Sequence, residues 1–289
     1  MPGKAVVVTD STASLPPDVA EERGIVVVPL QVVIGATVYD EGPEGATPAM
    51  VAEALKEFRP VSTSRPSPAR LAEIYARAAE DGAREILSIH LSGEMSGTYE
   101  SAQLAARDAP VPVTVVDSRQ VGVVTGYAAL SAQDVLDAGG SVADAAAAAR
   151  ARAEMSTALF YVDTLEYLRR GGRIGAAAAL LGGALSVKPL LRIEDGRVVN
   201  LDRVRTSARA LSRMEDLVVE KAGDLQVELC VSHLANPDRA GDLADRLGVR
   251  LAENLGERVV WCGELGAVLG AHVGPGMVAV CLAPLLDQP

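Results

Sequence analysis

The stretch Ile86-Leu87-Ser88-Ile89-His90-Leu91-Ser92-Gly93-Glu94-Met95-Ser96-Gly97-Thr98 runs from an apolar, β-branched segment through a small polar loop to a helix start. Five strand-forming residues, Ile86–His90, are followed by an Ala-rich helical pattern over Gly97–Arg107 and a second Val-rich run, Val113–Val116. Strand, helix, strand at this spacing is a βαβ unit, whose two strands lie parallel with the helix on one face. Working outward, the same alternation recurs. Further strands are expected at Ala5–Thr9, Ile25–Leu30, Ala158–Val162, Val227–Ser232, Val259–Trp261 and Met277–Leu282. Helical segments fall between them, among them Thr47–Phe58, Pro68–Asp81, Gln120–Asp137, Val142–Glu154, Ile174–Leu185, Ser207–Ala222 and Pro237–Leu255. This pattern predicts an α/β protein with mostly parallel sheets.

Local chemistry marks several boundaries. Ser67-Pro68 is a cap followed by proline at the first helical position. Asp163-Thr164-Leu165-Glu166 has the spacing of a capping box. Asp195-Gly196, between Leu190–Ile193 and Val198–Leu201, reads as a hairpin turn. Ile34–Ala46, with Gly35, Gly42, Pro43 and Gly45, reads as a long loop or small hairpin. The chain has 289 residues, enough for two domains. The best-marked boundary lies near Glu154–Thr157, dividing a doubly wound first domain, residues 1–157, from a second α/β domain, residues 158–289.

Composition narrows the function classes. Lys and Arg number 27 against 38 Asp and Glu, a net charge of −11, which disfavours wrapping a nucleic-acid backbone. Aromatic residues are only 3%, so Ala, Val, Leu and Ile must build the core. Three widely spaced cysteines, Cys230, Cys262 and Cys281, form neither a disulfide framework nor a zinc motif. The first residues enter a Val run with no long apolar signal region, which points to a cytoplasmic protein. Leu265–Leu286 lacks charges, but Gly274-Pro275-Gly276 in its middle would break a spanning helix, so it reads as helix, turn and buried strand.

Ligands of parallel α/β sheets bind beyond the carboxyl ends of strands. Asp10-Ser11-Thr12, Ser92–Thr98 and Asp117-Ser118 all follow strands and offer hydroxyls and free backbone N–H groups suited to an anionic group. A helix cap explains each singly; three together point to a site. Ser62–Pro68 presents Thr63 and Ser64 before a helix start. His272 lies among Gly270, Gly274 and Gly276, where backbone or ligand can approach closely. From Leu165 to Arg213 there are ten Lys or Arg against four acids, a basic region in an acidic chain that suits an acidic partner or a set of solvated arginines. Walker-type, dinucleotide and G-x-S-x-G motifs do not occur at the expected places, so no cofactor is expected.

At this point the chain resembles the DegV family, the fatty-acid-binding proteins that serve bacterial fatty acid kinase. The matching segments are Val8–Thr12, Thr63-Ser64-Arg65-Pro66, Ser96–Ala102, Val116-Asp117-Ser118, Leu165–Ile174, Val187-Lys188-Pro189 and Gly270–Gly276, in order over nearly the whole chain. The resemblance implies two α/β domains with a fatty acid in a tunnel between or beside them. Its carboxylate would be held by Thr63 and Ser96, with His272 close to the headgroup and Ser64 and Gly97 completing the ligand set. It implies a non-catalytic carrier that presents the fatty acid to a partner kinase for ATP-dependent acyl phosphate formation, with Arg205, Arg170 and Arg173 toward that partner. Stable membrane insertion and nucleic-acid binding are not expected. An acyl chain of about fourteen methylenes, at roughly 0.8 kcal/mol each, contributes on the order of 11 kcal/mol before association costs. The uncharged run Ile174–Val187 is a candidate lining. Two positions depart from the family pattern: Arg65 stands where Gln is frequent, and Gly93 where a second serine is usual. Two other readings remain at the level of sequence: a serine hydrolase using Ser96, Asp117 and His272, and a carrier of another amphipathic lipid without a kinase.

Overall fold

The computed structural model describes residues 5–180 and 188–286. Packing divides the chain into two compact units, Met1–Gln31 with Ser64–Glu154, and Val32–Thr63 with Met155–Pro289. Residues 32–63 thus pack with the second unit rather than with the first half of the chain, where the sequence division had put them.

The first unit is built on a four-stranded sheet, order β2-β1-β6-β7, from β1 (Ala5–Asp10), β2 (Val26–Val28), β6 (Glu85–His90) and β7 (Val113–Asp117). All three pairings are parallel. The two central strands, β1 and β6, are buried on both faces. Val8 and Ile86 pack against α3 (Pro68–Glu80) and α4 (Thr98–Ala106). Val7, Leu87 and Ile89 pack against α5 (Val123–Asp137) and α6 (Val142–Met155). Helix α1 (Pro17–Glu22) links β1 to β2. Ser67 caps α3 as its sequence predicts, its Oγ accepting from Arg70 N at 3.1 Å. Because β2 lies on one side of β1 and β6 on the other, the chain reverses its winding at β1/β6, where a doubly wound sheet opens a crevice.

The second unit contains a six-stranded sheet, order β10-β9-β8-β13-β11-β12. Its strands are β8 (Thr157–Tyr161), β9 (Lys188–Glu194), β10 (Arg197–Val204), β11 (Val227–His233), β12 (Trp261–Glu264) and β13 (Val278–Pro284). The α/β class holds, but the expectation of parallel pairing fails in this sheet: only β11–β12 is parallel. Connection length accounts for two of the pairings. β11 returns to β12 through α9 (Pro237–Arg250) and α10 (Ala252–Leu255), a crossover that enforces parallel strands. β9 and β10 are joined by Asp195-Gly196, both at positive φ (50° and 77°), the two-residue hairpin expected there. Helices α8 (Ser207–Ala222), α9 and α10 cover one sheet face through Met214, Val218, Leu243, Leu247 and Leu255.

A second, three-stranded sheet, β4-β3-β5, comprises β3 (Gln31–Ile34), β4 (Thr37–Asp40) and β5 (Val61–Ser64), followed or preceded by α2 (Pro48–Lys56). The stretch read as a loop or hairpin is therefore the hairpin, and the hydroxyl-rich segment before Ser64 is its third strand. Helix α7 spans Glu166–Arg170 and α11 spans Ala267–Val273. The capping box expected at Asp163–Glu166 does not form, because Asp163 is taken by Tyr161 Oη and Lys188 Nζ. The long helix expected over Ile174–Leu185 is a 3-10 turn over Gly175–Leu180, and 181–187, with the rest of the candidate lining, lies outside the described residues.

Candidate functional site

Thr63 and His272, 209 residues apart, meet in the second unit: Thr63 Oγ1 and His272 Nε2 are 2.8 Å apart. Thr63 comes from β5, and His272 from the last turn of α11. The imidazole sits on glycine. A Cβ built on Gly171 would lie 2.2 Å from His272 Nδ1, and one on Gly274 would lie 2.0 Å from the Tyr167 ring. The Tyr167–Arg173 turn therefore wraps α11 only because Gly171 and Gly274 have no side chain. Burial of the ring, then the nearby Arg173 charge, pushes the His272 pKa down to about 4. The ring is thus neutral at pH 7. Nδ1 is buried and has no hydrogen-bond partner among the described residues.

That last fact weighs against the hydrolase reading. A catalytic imidazole needs a carboxylate on Nδ1 to fix its tautomer and stabilise its cation. His272 has none, and its Nε2 is committed to Thr63. Asp117 is occupied elsewhere, its Oδ1 accepting from Gly93 N at 3.2 Å and Arg119 N at 2.8 Å.

Ser96 lies in the first unit, in the loop from β6 to α4 at the carboxyl end of the parallel sheet. Its Oγ is 2.9 Å from Thr98 Oγ1 and accepts from Thr98 N at 3.3 Å. Gly97 is the N-cap of α4. A Cβ there would lie 1.7 Å from Arg65 Nη1, so Gly97 makes room for Arg65, which donates to Gly97 O at 3.2 Å and pairs with Glu100 at 3.1 Å. The other departure, Gly93, has a similar logic: a Cβ would stand 3.0 Å from Asp117 Oδ2. Ser64 is exposed, its Oγ donating weakly to Arg65 O at 3.3 Å.

The loop carrying Ser96 is anchored by a buried chain that sequence reading did not assemble. Tyr75 Oη donates to Ser88 Oγ at 2.8 Å, Ser88 Oγ meets His90 Nε2 at 2.8 Å, and His90 Nδ1 meets Asp10 Oδ2 at 2.9 Å. Asp10 also accepts from Leu91 N at 3.1 Å and from Thr12 N at 3.1 Å. Asp10, His90 and Ser88 have no solvent exposure, so this Asp-His-Ser order is structural glue at the β1/β6 reversal, not a nucleophile. Its sequence signals are the period-2 spacing of Ser88 and His90 and the position of Asp10 at the end of the first strand.

The partner-facing candidates divide. Arg170 Nε donates to Glu166 at 2.7 Å; the hydrogen bonds from Arg169 and then Arg170 drop the Glu166 pKa to about 2. Arg173 Nη1 donates to Gly171 O at 2.6 Å and so belongs to the His272 surround. Arg205 is exposed between β10 and α8. Among the described residues no group of His, Cys, Asp and Glu could hold a metal ion, and no helix is long and apolar enough to cross a membrane.

The sequence model of the DegV family matches residues 4–285. A DegV domain-containing protein of Streptomyces coelicolor is 51% identical over 277 residues, covering 96% of this chain and 97% of its own. The structure of a DegV family protein from Thermus thermophilus, described for its fatty acid binding, is 34% identical with a TM-score of 0.90, covering 98% of this chain and all of its own. The structure of DegV, a fatty acid binding protein from Bacillus subtilis, is 30% identical with a TM-score of 0.89 at the same coverage.

Proposed function

Since the chain belongs to the DegV family, we propose that it binds a long-chain fatty acid by its carboxylate at Thr63 and Ser96 and carries it, without catalysis of its own, to a partner kinase in the cytoplasm. The observation that carries this reading is the 2.8 Å pair of Thr63 with a neutral, largely enclosed His272 whose Nδ1 is buried. Its fatty-acid-binding relatives of closely similar fold support the ligand class.

The pair has a definite chemistry. A neutral imidazole holds one proton. If Nε2 carries it, Nε2–H donates to Thr63 Oγ1, and the threonine hydroxyl is left to donate outward to a carboxylate oxygen. Nδ1 is then a lone pair without a donor, a cheaper orphan than an unpaired N–H. Ser96 is the second hydroxyl of the reading. Hydroxyl donors, rather than a bidentate arginine, contact the carboxylate directly, so its oxygen keeps its nucleophilicity towards the terminal phosphoryl group of ATP on the kinase. ADP leaves as the acyl phosphate forms. Arg170 and Arg205 are assigned to the kinase contact, while Arg173, bonded to Gly171 O, stays with the His272 surround.

The test is a double substitution, Thr63→Ala with Ser96→Ala, read by palmitate binding and by kinase-dependent acyl phosphate formation. Loss of the hydroxyls should weaken binding and abolish turnover. Unchanged values would overturn the assignment, and turnover of a p-nitrophenyl ester that vanishes in Ser96→Ala would favour the hydrolase.

A further inference from the structure

We propose that Glu41 is the positioning residue of the Thr63–His272 pair, capping from 227 residues away the helix that carries the imidazole. Helix α11 begins after Gly266, which has no side chain and provides no cap of its own. Glu41 Oε1 accepts from Val268 N at 2.8 Å. A Cβ on Gly266 would stand 2.6 Å from that same oxygen, so glycine at the cap position is what admits the carboxylate. A negative charge at this end also opposes the helix dipole favourably.

The carboxylate is held by a closed loop. Ala46 N donates to Asp40 O at 2.8 Å, Gly45 N to Gly42 O at 3.1 Å and Gly42 N to Ala46 O at 3.2 Å. Gly45 lies so close to the start of this loop that a Cβ would be 2.0 Å from Asp40 O. Helix α2 follows directly, and α2 and α11 pack on each other. His272 lies four residues after Val268, on the same face one turn along. The cap at Val268 N therefore sets the axial position of the turn that presents Nε2 to Thr63. A strand-to-helix loop far away in sequence thus determines whether the headgroup pair closes at hydrogen-bond distance.

The functional limb of this proposal rests on the carboxylate-binding reading; its structural limb does not. The test uses the full chain labelled with ¹⁵N-histidine, unliganded at pH 7, with the His272 ring nitrogens read by NMR and palmitate affinity read by calorimetry. Glu41→Ala removes the acceptor, and Gly266→Ala displaces it while leaving Glu41 intact. Both should shift the His272 Nε2 resonance and weaken palmitate binding about tenfold, the scale of one lost hydrogen bond to a charged group. Glu41→Gln keeps an acceptor oxygen in place and should stay within about threefold of wild type. Should Glu41→Ala fail to fold, Glu41→Asp, one methylene shorter, carries the same comparison. Unchanged His272 resonances in the folded Ala variants would overturn the proposal, as would a Glu41→Gln variant as impaired as Glu41→Ala. If the resonances shift as expected but wild-type protein binds no palmitate, the positioning role stands and the carrier reading falls.

Discussion

Replacing Gly171 by alanine sets two physical expectations against each other. Gly171 closes α7 at φ −73°, ψ −11°, a helical conformation that alanine adopts freely. On backbone grounds alone the substitution should stabilise by about 0.4–1 kcal/mol through the unfolded chain. The packing says otherwise. The new methyl would lie 2.2 Å from His272 Nδ1, 2.9 Å from Cε1 and 3.3 Å from Tyr167 O. Ordinary contact begins near ~3.5 Å, so the ring must retreat by roughly 1.3 Å. A displacement of that size, in any direction along the contact, is incompatible with the 2.8 Å Thr63–His272 hydrogen bond. Overpacking costs about 1–3 kcal/mol and the broken hydrogen bond about 1 kcal/mol, so after the backbone gain the net loss is about 1–3.5 kcal/mol. At about 2–4 °C per kcal/mol, the melting temperature should fall by about 2–14 °C. The comparison is Gly241→Ala in the middle of α9, where a Cβ meets no atom within 4 Å and helix propensity favours alanine by about 0.8–1 kcal/mol. Melting curves of the two variants should move in opposite directions. A Gly171→Ala protein as stable as wild type, with unchanged His272 resonances, would refute the packing derived for the imidazole.

Three further outcomes are expected. Phe58 ends α2 at φ +57° while 85% exposed, an unfavourable conformation with little packing in return; Phe58→Gly should stabilise by about 1 kcal/mol in urea unfolding, and a loss would mean the ring packs after all. Because the His272 pKa is about 4 in the folded chain against 6.5 for the ordinary side chain, the unfolded state takes up the proton first. Stability contributed by its neutrality is complete above about pH 6.5 and lost towards pH 4, by at most about 3 kcal/mol, so wild type should lose more than His272→Asn between pH 7 and 4.5; equal losses would contradict it. Arg65→Gln removes an exposed ion pair with Glu100 worth at most about 1 kcal/mol, so melting should barely change and palmitate affinity should stay within about threefold; a larger affinity loss would put Arg65 in the headgroup site.

The elements that carry their own pattern were legible in the sequence. β1, β6, β7, β8 and β11 are short segments rich in apolar and β-branched residues, and Ser67-Pro68 and Asp195-Gly196 announce a helix start and a hairpin by local chemistry. What depends on pairing between distant segments was not. β13 runs antiparallel between β8 and β11, with Cys281 opposite Cys230 and Ala158, and nothing within Met277–Leu282 states its direction. Val61–Ser64 reads as a polar loop because only one face of that short strand is partly buried. At the site, the glycines around His272 pointed to close approach, and the structure shows what approaches: the ring lies against Gly171, and Tyr167 lies against Gly274. Glu41 had no local signature at all, since its partner amide is supplied by residue 268. The Leu251 break between α9 and α10 and the placement of β12 at Trp261–Glu264, later than the run Val259–Trp261, likewise follow from the crossover to β11 rather than from residue type.

The most direct test of the account is denaturing extraction of the purified protein followed by mass spectrometry of what is released. Near-stoichiometric fatty acid is the predicted result, with its chain lengths read in the same spectrum. A protein that releases none, and that takes up no palmitate when it is added, would contradict the account at its centre.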